Sequence, residues 1–243
     1  MRINSTELQN NFGKYLMLAA NEDIIITRNG RAIATLSGIK NESGSPDVGP
    51  VREKAAEYSY GGRKATYEEF LELTENSDER YEYIDGEIYL LASPKTRHQV
   101  ALTELFGIFY NWFEGKQCTP FVAPYDITLK RNPENINVVQ PDIMVICDLE
   151  EKLNDKDYYM GTPTLVVEIL SESTRRMDLI KKLDLYMACG VEEYWIVNPL
   201  NQEVTVYLFK DNDVSDSRTF RKGDRVESFI FPGLTAETAR VFR

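Results

Sequence analysis

Pro141-Asp142-Ile143-Met144-Val145-Ile146 and, further on, Leu165-Val166-Val167-Glu168-Ile169-Leu170 are the runs that decide how this chain is read. Short runs rich in Val and Ile, bounded by Pro and Gly, are predicted to be strands buried on both faces. A carboxylate in such a strand is costly unless it is paired or binds a cation. Asp142 opens the first strand and Glu168 interrupts the second, which marks the pair as a candidate site.

The segment after Glu168 is predicted helical. At 100° per residue, Leu179, Ile180, Leu183 and Met187 form an apolar stripe, and Asp178, Lys182 and Tyr186 run along its border. Lys181 and Asp184 fall on the wet side. Lys182 is therefore the lysine expected to lean over the sheet, and Lys181 the one expected to be solvated.

Two carboxylates suit a hard divalent cation, because Mg²⁺ takes one or two of them and fills its remaining positions with water and phosphate oxygens. Such an ion activates water and offsets charge on phosphorus. Asp142, Glu168 and Lys182 thus point to phosphodiester hydrolysis with Mg²⁺ or Mn²⁺. The same spacing also describes an ordinary α/β core in which Glu168 is salt-bridged to Lys182.

Pro141-Asp142 followed by Glu168-Ile169-Leu170 resembles the PD-(D/E)xK nuclease pattern. A longer set resembles the Uma-two family of restriction endonucleases: Tyr81-Glu82-Tyr83-Ile84-Asp85-Gly86-Glu87, Pro141-Asp142-Ile143, Val167-Glu168-Ile169-Leu170-Ser171, Lys182 with Tyr186, and Glu193-Tyr194-Trp195. The likeness covers residues 64–243. It implies an α/β (α+β) restriction-endonuclease-like core, a central mixed sheet flanked by helices. It also implies metal held by Asp142 and Glu168, with Glu82 nearby and Tyr186 in support. Leu170 stands where the usual motif has its lysine, and the likeness places that lysine at Lys182.

The composition is that of an ordinary globular protein, 42% hydrophobic and 28% charged over 243 residues. No apolar run approaches membrane-spanning length, and the start lacks the apolar core of a signal peptide. Cys118, Cys147 and Cys189 are odd in number and lack metal-type spacing, so reduced thiols and a cytoplasmic protein are expected. A net charge of −11 gives no generic attraction to DNA. Residues 1–40 differ, with five basic side chains against three acidic ones.

Those forty residues predict a helix beginning near Asn4 and Glu7, then two strands joined by Asn29-Gly30, a strong hairpin signal. So short a unit buries too little to be stable alone, and dimerisation is expected. Glu7-Leu8, Gly13-Lys14-Tyr15 and Ile26-Thr27-Arg28-Asn29-Gly30-Arg31 resemble the prevent-host-death/YefM antitoxin family. That likeness implies a homodimer that binds DNA, here through Arg2, Arg28 and Arg31. In that family a C-terminal tail inhibits a toxin; no such tail is recognisable here, so the likeness leaves a toxin partner open. Residues 41–63, rich in Gly, Ser and Pro, are expected to be a linker.

Within the larger part, Tyr67–Leu73 reads as a short helix, and Asp85-Gly86 as the turn of a second hairpin. A helix over 97–113 carries His98, the single histidine, on its inward stripe with Leu102, Leu105, Phe109 and Trp112. A lone inward histidine is most often a core residue. One strand is expected over 121–130, a surface excursion over 148–163, strands at 193–197 and 204–209, and a polar closing segment with a short helix. The same residues allow a non-catalytic DNA-binding regulator, or the same metal chemistry on RNA or nucleotides.

Overall fold

The computed structural model describes residues 2–4, 15, 19, 23–28, 31–37, 62–171 and 178–243. The chain divides into two compact units, Met1–Ala56 and Glu57–Arg243. In the first, β1 (Arg2–Asn4) pairs in parallel with β2 (Ile24–Arg28), and β2 runs antiparallel to β3 (Arg31–Leu36). Ile3, Tyr15, Ala19 and Ile24 are buried together, with Leu36 packed against them. The Asn29-Gly30 turn, most of the expected first helix, and linker residues 41–61 lie outside the described residues.

The second unit begins with β4 (Arg63–Lys64) and α1 (Tyr67–Glu75). Thr66 and Glu69 close a capping box at the start of α1, so each satisfies a backbone N–H of the other. There follow β5 (Tyr81–Ile84), β6 (Glu87–Leu90), α2 (Thr96–Phe113), β7 (Thr119–Val122), β8 (Ile127–Asn132), β9 (Asn135–Val139) and β10 (Ile143–Ile146). The chain continues through α3 (Leu149–Lys152), β11 (Leu165–Ile169), a π-helical turn (Asp178–Lys182) and α4 (Leu183–Ala188). It closes with β12 (Glu193–Asn198), β13 (Glu203–Lys210), β14 (Asp213–Arg221), β15 (Arg225–Glu227), β16 (Thr235–Glu237) and α5 (Thr238–Val241). Among the described residues no helix is long and apolar enough to cross a membrane.

A six-stranded sheet, ordered β14-β13-β12-β11-β10-β7, forms the centre. Only β11 and β12 run parallel in it, which makes it a mixed sheet. Strand alternation sends Val167, Ile169, Trp195 and Val197 to one face, against Leu105, Phe109 and Phe113 of α2. Val166, Leu170, Tyr194 and Ile196 face the other way, against Leu185 and Tyr186 of α4 and Ile127, Leu129 and Val139 of β8 and β9. Burial on both faces explains why β10, β11 and β12 lack polar alternation. A second sheet, β4-β6-β5-β9-β8, includes the β5–β6 hairpin. Asp85 and Gly86 both take positive φ (49° and 77°), as a two-residue turn of matching twist requires.

Four expectations need correction. The strand expected over 121–130 is two strands in different sheets, β7 and β8, divided around Pro124, whose ring nitrogen cannot donate to a ladder. The polar closing segment contains β14, an edge strand whose residues are almost all exposed, so no apolar pattern betrays it. The π-helical turn shifts the phase of the helical wheel: Ile180 is exposed, while Leu185 and Tyr186 are fully buried. Cys118 and Cys147 are not free thiols but a disulfide. β7 and β10 pair with Thr119 opposite Ile146, so the next positions, far apart in sequence, face each other.

Candidate active site

The geometry follows from strand register. β10 and β11 are antiparallel with Ile143 opposite Val167, and continuing that register one residue sets Asp142 opposite Glu168. Both carboxyls line a single cavity of ≈ 150 Å³ with Glu82, His98, Gln140 and Lys182. Asp142 Oδ2 accepts the Ile169 N–H at 2.7 Å and lies 3.2 Å from His98 Nε2.

Glu168 is buried and is gripped from the helix that follows. Its Oε1 accepts from Lys182 Nζ at 2.9 Å and from the Tyr186 hydroxyl at 2.6 Å. Lys182 closes the π-helical turn and is 3% exposed. It also donates to Glu82 Oε1 at 2.8 Å, and that oxygen accepts the Gln140 N–H at 2.9 Å. Burial, then the nearby Glu168 and Glu82 carboxylates, push ionisation of the Tyr186 phenol well above its ordinary range. Tyr186 therefore remains a proton donor to Glu168.

The fold thus brings together Asp142, Glu168, Lys182, Tyr186 and Glu82 from β5, β11, the turn before β10, and the helix after β11. Glu82, whose strand position could as well have been exposed, is fully buried. His98 is no self-contained core residue: it lines the cavity beside Asp142, and its buried Nδ1 has no partner among the described residues. Its place on the inward stripe of α2 was the available signal. Arg80 and Gln140, also in the lining, carried none. Lys181, expected in solvent, pairs with Glu87 at 2.5 Å and touches the Tyr89 hydroxyl. In the other unit Arg2 and Arg31 are exposed on their strands, and the side chain of Arg28 lies outside the described residues.

The donor set fits a hard cation. Two carboxyls, those of Glu82 and Glu168, meet one lysine beside Asp142, and among the described residues Glu82 Oε2 is a buried acceptor with no donor. Such an orphaned oxygen is costly unless a cation or donor meets it. Among the described residues no three His, Cys, Asp or Glu form a ready-made metal cage. Mg²⁺ does not need one, since it binds through one or two carboxylates and keeps several waters.

The mixed sheet flanked by helices, with paired carboxylates and a buried lysine at one cavity, is consistent with a restriction-endonuclease-like fold. The chain belongs to the Uma2 family, described as "Putative restriction endonuclease", whose model matches residues 67–239. It is similar to two Synechocystis sp. proteins. Uncharacterized protein slr1290 is 29% identical over 166 residues, 68% of this chain and 84% of that protein. Uncharacterized protein sll1609 is 24% identical over 143 residues, 58% and 79% of the two chains. The crystal structure of a "putative nuclease belonging to DUF820" from Anabaena variabilis ATCC 29413 has the same fold. It matches with a TM-score of 0.57 at 19% identity, covering 72% of this chain and 96% of the other.

Proposed function

We propose that the chain is a metal-dependent DNA endonuclease that hydrolyses phosphodiester bonds. The observation that carries this reading is the meeting of Asp142, Glu168 and Lys182 in one cavity. Asp142 and Glu168 are the proposed ligands of Mg²⁺ or Mn²⁺, with Glu82 beside them. The ion supplies activation of water and neutralisation of charge at phosphorus. Asp142 is held in position by the Ile169 N–H and His98, and Glu168 by Tyr186. Lys182 keeps its ammonium against Glu168, where it orients the attacking water or offsets charge on a phosphate oxygen. Tyr186, protonated and fixed, orients Glu168 without exchanging its proton.

The test is conversion of supercoiled plasmid to nicked and linear forms by the full chain, with Mg²⁺ and with chelator. Metal-dependent cutting lost in Glu168→Gln is expected; equal cutting by the variant removes Glu168 from the mechanism. We further propose that the unit containing residues 1–40 dimerises and binds DNA through Arg2, Arg28 and Arg31. Alanine at Arg2 and Arg31 then lowers duplex affinity.

A second reading has its own observation. Lys182 is tied between Glu82 and Glu168, and Leu170 occupies the usual lysine position. A non-catalytic DNA-binding regulator would keep this ion pair purely for stability. It would bind DNA without cutting it and take up no Mn²⁺ at Asp142.

A further inference from the structure

Arg80 has no role in the site as described so far. It immediately precedes β5, two residues before Glu82, and its carbonyl accepts the Leu91 N–H at 2.9 Å, which fixes its backbone. The residue is partly buried and lines the same cavity as Glu82, Asp142, Glu168 and Lys182. Arg80 forms no ion pair or side-chain hydrogen bond with any described residue, although three carboxylates share its cavity. Lys182 contrasts with it, bonded at 2.8 and 2.9 Å to two of those acids.

A partly buried arginine that shares a cavity with three carboxylates, yet bonds to none of them, leaves its guanidinium able to take an anion from outside. Arginine presents a planar fork of donors that matches phosphate oxygens in pairs. No described hydrogen bond or ion pair joins Arg80 to the acids or to Lys182, so a separate phosphate suits it better than the one under attack. We propose that Arg80 binds a non-scissile phosphate of the DNA strand, next to the one held at Asp142, Glu168 and Lys182. This rests on the hydrolytic reading for the position of the scissile group. The contact also addresses the charge problem, since a net −11 chain needs local cations wherever DNA enters. Arg80 then sets which phosphate enters the centre, and it gives longer substrates an advantage over a lone phosphodiester.

The experiment compares wild type, Arg80→Gln and Arg80→Lys on a duplex oligonucleotide and on bis(p-nitrophenyl) phosphate, which has no neighbouring phosphate. Arg80→Gln is expected to lose about tenfold more kcat/KM on the duplex than on the small diester, mainly through KM. Arg80→Lys recovers part of that loss. Equal losses on both substrates, or none on the duplex, overturn the proposal. Fluorescence anisotropy of the labelled duplex with Ca²⁺ gives a readout independent of cleavage. The slope of log K against log salt should fall by about 0.9 in Arg80→Gln. If wild type cleaves neither substrate, the hydrolytic reading fails alone. The salt slope then decides Arg80, an unchanged slope overturning the contact and a reduced one supporting it.

Discussion

Replacing Lys182 with Met keeps most of the side chain's length and removes its ammonium. Lys182 is 3% exposed, Glu82 0% and Glu168 4%, so water cannot screen the carboxylates that share this cation. Removing one partner of a buried ion pair costs about 3–5 kcal/mol, because the other charge stays behind. In a domain of about 150–250 residues each kcal/mol moves Tm by about 2–4 °C, so Lys182→Met should lower Tm by roughly 6–20 °C. The two tryptophans, Trp112 and Trp195, both lie in the larger unit, so their fluorescence on heating reports that unit alone. Adding Glu82→Gln and Glu168→Gln removes the surplus charge, and the triple variant should regain at least half of the lost stability. A Tm within about 2 °C of wild type for Lys182→Met would refute the buried triad. So would a triple variant no more stable than the single one.

Titration of Mn²⁺ into the full chain should release or absorb heat that Asp142→Asn abolishes; unchanged heat in the variant moves the ion elsewhere. The raised ionisation of Tyr186 has a definite sign: its stabilisation is complete below the unfolded tyrosine value, about pH 10, and is lost as pH climbs above it. Tyr186→Phe should therefore flatten the fall in urea midpoint between about pH 8 and about pH 10.5, and an identical fall in both proteins removes Tyr186 as its source. Ellman's reagent in urea without reductant should find one thiol, Cys189, and after reduction all three. Before unfolding, Cys189 should react slowly, since burial pushes its thiol up to about 11.

Much of the central sheet was legible because burial on both faces writes continuous apolar runs, as in β10, β11 and β12. The Asp85-Gly86 turn was legible because positive φ selects such residues. What escaped has physical causes too. β14 is an edge strand whose exposed side chains obey no core period. The Cys118–Cys147 pairing is visible only once β7 lies beside β10. The burial of Glu82 depends on a partner 100 residues away, a separation that no local pattern encodes, and the inward stripe marked His98 without showing its meeting with Asp142, 44 residues off.

The position of the lysine ties these observations together. Val166, Glu168 and Leu170 alternate onto one face of β11, the face covered by Leu185 and Tyr186. A lysine at position 170 would project from that face beside Glu168. Leu170 is instead 5% exposed within the apolar cluster, where an ammonium without a partner would be costly. Lys182 approaches the same face from the helix above it and meets Glu168 and Glu82 at salt-bridge distance. The π-helical turn that ends at Lys182 is a wider coil than the α-helix it feeds, and it sets the phase of the residues that follow it. A charge can thus leave the strand and return from the helix, with an apolar side chain filling the position it left. Leu170→Lys therefore cannot replace Lys182: in a Lys182→Met background the new ammonium stands in an apolar cluster and should restore neither stability nor cleavage.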